Sequence, residues 1–118
     1  MITQLIMLAK DHDYSIEFNS KSRKMIKDDQ KVSGYIDYYK RKVLINTLKD
    51  QRMIIYHLCH ELGHMMSRES KKYVSWNKRF SSELIAHYFG WRIIREYHID
   101  ISRNSWKMYY RKSIKEKK

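Results

Sequence analysis

The stretch Gln51-Arg-Met-Ile-Ile-Tyr-His-Leu-Cys-His-Glu-Leu-Gly-His-Met-Met-Ser67 decides how this chain is read. Within it Met53, Ile54, His57, Leu58, Glu61 and Met65 recur at three and four. That is the period of one helix face, so the spacing predicts a long helix from Asp50 to about Ser67. Asp50 suits the electropositive first turn of such a helix. His60 and His64 stand one turn apart on the same face, where two imidazoles can bind one tetrahedral Zn²⁺. Glu61 points to the flank of that face, within reach of a metal-held water and without being a ligand. Catalytic zinc keeps one position open for such a water and makes it far more acidic, so a neighbouring glutamate can act as general base. The motif is therefore two ligands and a base of a peptide-hydrolysing apparatus.

A bare HExxH arises by chance often enough that a third ligand has to be sought elsewhere. Downstream, Leu84, Ile85, Phe89, Ile93 and Ile94 give apolar faces to a second helix running from Ser81 or Ser82 to Tyr97. Either serine can cap it. Glu83 and His87 lie one turn apart on this helix. In one reading Glu83 is the third ligand and His87 a catalytic donor near the metal; in the other His87 ligates and Glu83 braces it. The bland alternative for Glu83 is an exposed carboxylate early in a helix. Gly90, two turns beyond Glu83, would let the two helices approach closely. His57 lies along the ligand stripe and reads as a packing or supporting residue. Cys59 is turned about 100° from His60 and reads as a small buried residue.

Upstream, Ile2, Leu5, Ile6 and Ala9 predict an amphipathic helix from Ile2 to about Asp11. Tyr14 to Phe18 alternates like a half-buried strand, Asn19-Ser20 reads as a turn, and Lys21 to Lys31 has no clear structure. Val32 to Tyr39 and Lys42 to Asn46 read as strands joined tightly through Tyr39-Lys-Arg-Lys42. Helix, three-stranded sheet, then helices is an α+β order. No linker, repeat or low-complexity run interrupts it, so the expected organisation is one domain over 1–100 and a basic aromatic tail over 101–118. The tail carries Trp106, Tyr109 and Tyr110 among Lys107, Arg111, Lys112 and Lys115. Such interleaving can dock on nucleic acid, but packing of the aromatics onto the domain explains it more simply.

A chain of 118 residues supports one core, and its 42% hydrophobic content argues against disorder. No apolar run approaches the roughly 18 to 20 residues of a membrane span. The start has no basic region or small-residue cleavage pattern, and the one cysteine cannot make an internal disulfide, so a cytoplasmic protein is expected. The net charge of +12 is a strong positive field for so small a body, open to nucleic acid, an acidic protein, an anionic membrane surface or no partner at all.

The order of these features resembles the ImmA/IrrE family of HExxH metallopeptidases. The resemblance spans about residues 1–98: a first helix and strand, Gly34-Tyr35 leading into Lys42-Val-Leu-Ile-Asn46, the run Ile54 to His64, and Glu83-Leu-Ile-Ala-His-Tyr-Phe-Gly90. It implies a small zincin-like domain with zinc on His60, His64 and Glu83 and with Glu61 as the catalytic glutamate. Many relatives carry a glutamate directly before the alanine of the last segment, where this chain has Ile85. The resemblance also implies a regulatory protease of phages and mobile elements that acts on, or pairs with, a helix-turn-helix repressor; a meeting on or near DNA would gain encounter rate from the positive surface. Two other functions compete: a non-cleaving module that sequesters such a partner, and a basic nucleic-acid-binding protein.

Overall fold

The computed structural model describes residues 2–19, 25–27, 30–32, 34–47, 50–70 and 80–116. In chain order they form α1 (Ile2–Asp11), β1 (Ser15–Asn19), β2 (Met25–Lys27), β3 (Gln30–Val32), β4 (Gly34–Asp37), β5 (Lys42–Asn46), α2 (Gln51–Glu69), α3 (Ser82–Glu96) and α4 (Arg103–Glu116). The architecture is α+β, with a three-stranded mixed sheet in the order β1-β5-β4. β5 is central, parallel to β1 and antiparallel to β4. Its alternation decides the packing: Val43 and Ile45 are fully buried, with Ile36 of β4 opposite Val43. α2 packs against β4 and β5, and it also meets α1 and α3. Leu58, Leu62 and Met65 of α2 are completely buried in the same core.

Three boundaries differ from the sequence reading. The strand expected over Val32–Tyr39 is divided: Val32 pairs with Met25 in an antiparallel β2–β3 hairpin, and β4 keeps only Gly34–Asp37. The hairpin lies in the stretch that showed no pattern, because its short strands carry too few apolar residues to mark a face. Asn19 is the last residue of β1, while Ser20 falls outside the described residues. α2 runs past Ser67 to Glu69. A carboxylate at a helix C-terminus opposes the helix dipole. Here it is fastened, since Arg41 Nη2 lies 3.3 Å from Glu69 Oε1 and His12 Nδ1 bonds the other oxygen. Arg41 also donates to the His12 and Asp13 carbonyls, so one clasp joins the ends of α1 and α2 to the turn before β5.

The helix ends are closed by local chemistry. Asp50 Oδ1 accepts from Met53 N at 3.0 Å, and Ser81 Oγ accepts from Leu84 N at 3.2 Å, capping α2 and α3. Ser102 Oγ accepts from Ser105 N at 3.1 Å at the start of α4. At their C-termini α1 and α3 use the same double bond pattern. Asp13 N and Tyr14 N donate to the Lys10 and Ala9 carbonyls, as His98 N and Ile99 N donate to those of Arg95 and Ile94. The reversal requires a left-handed residue, usually glycine, yet Asp13 (φ 62°) and His98 (φ 53°) occupy it.

α4 is a full helix of 14 residues whose inner face joins the core. Trp106 and Tyr109 are buried and stack with Tyr56 of α2 at ring separations of 6.0 and 5.1 Å. Arg103, Lys107, Arg111 and Lys112 face solvent. Of the two readings of the tail aromatics, packing is the one the structure shows. No helix among the described residues is long and apolar enough to cross a membrane.

The left-handed conformation costs an ordinary L-residue about 1–2 kcal/mol, part of which glycine returns as chain entropy. His98→Gly is therefore expected to stabilise the protein by about 0.5–1 kcal/mol, read as a higher urea midpoint with an unchanged slope.

Candidate metal centre

The site begins with a crossing of two helices. Gly63 lies between the motif histidines, on a face of α2 pressed against α3. A methyl there would stand 2.2 Å from the Ala86 carbonyl oxygen and 2.9 Å from the Gly90 nitrogen. One at Gly90 would stand 3.0 Å from the Cys59 carbonyl oxygen and 2.6 Å from the Trp106 ring. Backbone meets backbone at both positions, and only hydrogen side chains permit it. The expectation for Gly90 holds, and Gly63 performs the same service from inside the motif.

This approach delivers Glu83 from the first turn of α3 onto the histidine face of α2. His60 Nε2 donates to Glu83 Oε2 at 2.8 Å, and His64 Nε2 lies 3.3 Å from Oε1. The two imidazoles meet edge to face with centroids 4.9 Å apart. His60 is buried, and His64 and Glu83 are half-buried. Burial alone would raise the Glu83 carboxyl, but the hydrogen bonds and charges of His60 and His64 outweigh it and hold the group ionised. The ligand atoms of His60, His64 and Glu83 all lie within 4.8 Å of one another, a group that can hold a metal ion. A tetrahedral zinc with bonds of about 2.0–2.1 Å sets its ligand atoms roughly 3.3–3.4 Å apart; the two histidine–Glu83 spacings are 2.8 and 3.3 Å. The donor set, two imidazoles and a carboxylate, is also one that zinc accepts.

Glu61 is buried beside this group, and a methyl on Gly34 of the edge strand β4 would lie 3.6 Å from its Oε2. The carboxylate therefore lies at the sheet edge, one residue along the chain from His60. His87 is outside the three-residue group. Its ring stacks between Trp106 (5.2 Å) and Tyr110 (4.3 Å), and its carbonyl accepts from Trp106 Nε1 at 3.0 Å. Burial first, then the charges of His60 and Lys107, lower its pKa to about 4, which keeps it neutral near pH 7.

His57 shares a 2.6 Å hydrogen bond with the Tyr109 hydroxyl, the supporting role its position suggested. Tyr109 itself is a site residue that the sequence reading assigned to a tail. Its ring stands 6.2 Å from that of His60, and burial, reinforced by the Glu61 charge, raises its pKa and keeps the phenol protonated. The available signal was the three-residue step from Trp106 to Tyr109, half hidden by the lysines and arginines between and after them. Cys59 is fully buried, and burial pushes its thiol up to about 12, which makes it an inert packing residue.

Compared with protein-family models, curated proteins and solved structures, the chain matches none.

Two expectations follow from this geometry. Gly63→Ala should cost about 3 kcal/mol or more, because a backbone carbonyl cannot yield to the added methyl, and should weaken metal binding as Glu83 is pushed away. Thermal melts and a chelator-competition titration read the two effects. His87 binds its proton more readily unfolded than folded, so its contribution to stability is present above pH 6.5 and lost as pH falls toward about 4. Discounted for partial exposure, this is about 1–2 kcal/mol. His87→Phe, which keeps the stack, should remove that part of the acid dependence in melts of metal-free protein.

Proposed function

We propose that the protein is a zinc-dependent regulatory metallopeptidase with a zincin-like active site, acting in the cytoplasm on a protein substrate. The observation that carries this reading is the bridging of His60 and His64 by the ionised Glu83 carboxylate, with Glu61 beside them at the edge of the sheet. His60, His64 and Glu83 would hold the ion. Bound there, zinc would supply Lewis acidity toward a peptide carbonyl and a water. Glu61 takes a proton from the attacking water and returns it to the departing amine. The crossing at Gly63 and Gly90 holds the ligands rigid, as such chemistry requires. Neutral His87 and protonated Tyr109 are hydrogen-bond donors near the site, and His87 is the one we assign to the developing charge.

The resemblance of the motif helix and the Glu83 segment to the ImmA/IrrE peptidases supports a helix-turn-helix repressor of a phage or mobile element as the substrate. A positive net charge of +12 favours encounter with a partner sitting on DNA, by speeding association at low salt.

Purified protein should carry one zinc per chain, lost on Glu83→Ala. Glu61→Gln should retain zinc and fold while cleavage of the substrate falls about 100- to 10,000-fold. Metal analysis and fragment release measure these directly. Relief of repression undiminished by Glu61→Gln would leave sequestration without cleavage as the activity.

A further inference from the structure

Beside the metal centre, α3 carries an apolar groove of about 260 Å³ lined by Phe80, Leu84, Ile85, His87 and Tyr88. Ile85 forms its buried floor, while Phe80, Leu84 and Tyr88 are 44%, 38% and 39% exposed. Three large apolar side chains clustered in solvent are uncommon on a chain with this much charge, and such clusters mark binding surfaces. The position is specific. Leu84 directly follows the bridging Glu83, and His87 lies one turn beyond it. A group seated in the groove is thus within a helical turn of the candidate ligands.

The rim is cationic. The Arg92 guanidinium stands 6.0 Å from the Tyr88 ring centre and 5.6 Å from that of Phe89. On the α4 side, solvent-exposed Lys107 follows Trp106, whose ring stacks on His87, and its charge reaches that imidazole. The one carboxylate of the neighbouring turn, Glu83, is already committed to His60 and His64. An apolar floor with a positive rim complements an apolar group flanked by negative ones.

We propose that this groove is the specificity subsite for a large apolar side chain of the substrate polypeptide, and that it prefers one flanked by carboxylates. The assignment of the occupant as substrate rests on the peptidase reading; the preference itself is a property of the groove. Removing three carbons from a side chain seated in such a pocket lowers affinity about 10-fold or more.

The test uses the full zinc-loaded chain carrying Glu61→Gln and three capped peptides of common Gly/Ser framework, with central Asp-Leu-Asp, Asp-Ala-Asp or Lys-Leu-Lys. Binding is followed by NMR titration. The Asp-Leu-Asp peptide should bind at least about 10-fold more tightly than either other, with contacts from its methyls to the Tyr88 ring. Leu84→Gln should abolish the preference for Leu, and Arg92→Glu with Lys107→Glu should abolish the preference for flanking acids. These three positions are solvent-exposed, and the methyl–Tyr88 contacts are read on the chain without groove substitutions in any case. Equal binding of the Leu and Ala peptides, or contacts elsewhere on the surface, would overturn the proposal. Hydrolysis by the chain with Glu61 intact is scored separately on the same peptides. Hydrolysis indifferent to Leu and to Leu84→Gln sinks the groove and leaves the peptidase standing. Groove-dependent binding without hydrolysis removes the word substrate and leaves the binding preference intact.

Discussion

Everything at the candidate centre depends on how near α2 and α3 come. Two helices bearing ordinary side chains pack with their axes about 8–10 Å apart, and glycines at the contact let them come closer. The contact of Gly63 with the Ala86 carbonyl, and of Gly90 with that of Cys59, removes the side-chain layer at the crossing. Trp106 fills the space that the missing Gly90 side chain leaves, and its indole nitrogen takes up the His87 carbonyl. The same two absences thus bring Glu83 to the histidines and make room for the C-terminal helix that backs them. A crossing made from backbone has no side chain that can give, so it is rigid in the way a metal or catalytic constellation needs.

The charge distribution follows from that geometry. Placing two histidines and a glutamate in a half-buried cluster is costly unless charge is balanced. The carboxylate accepts from both imidazoles. A divalent ion held by the same three residues would replace those donated hydrogens. On α4, Arg103, Lys107, Arg111 and Lys112 point outward because Trp106 and Tyr109 point inward. Burial of Trp106 and Tyr109 withdraws those two rings from any stacking surface on α4.

Much of this was legible in the sequence, and the parts that were not have physical reasons. The helix from Asp50 to about Ser67, a serine cap at Ser81 or Ser82 and the strands over 14–18 and 42–46 follow from periodicity, while spacing offered both Glu83 and His87 beside His60 and His64 and the family resemblance pointed to Glu83. Periodicity works there because each element buries one continuous face. It failed for the β2–β3 hairpin, whose strands of three residues are too short to show a period. It misplaced the end of α2, because Glu69 is held by Arg41 and His12, residues far away in sequence. The ends of α1 and α3 carried no glycine signal, since Asp13 and His98 accept the left-handed conformation instead. Gly63 was visible only as one letter of a motif, its role depending on a neighbour that no spacing rule names.

Tyr109 shows why a division of the chain at residue 100 by composition has limited physical meaning. Arginine and lysine dominate the average of α4, but a helix has faces, and an average over faces erases the one that packs. Trp106 and Tyr109 share the inward face, and from it they reach Tyr56, His57 and His60 of α2. Tyr110 stacks on His87 of α3 from the same side. The C-terminal helix therefore cannot be taken away as a tail without stripping the back wall from the histidine cluster. Its exposed charges are held in a fixed direction by the same packing, so whatever they attract is presented to one defined face of the molecule.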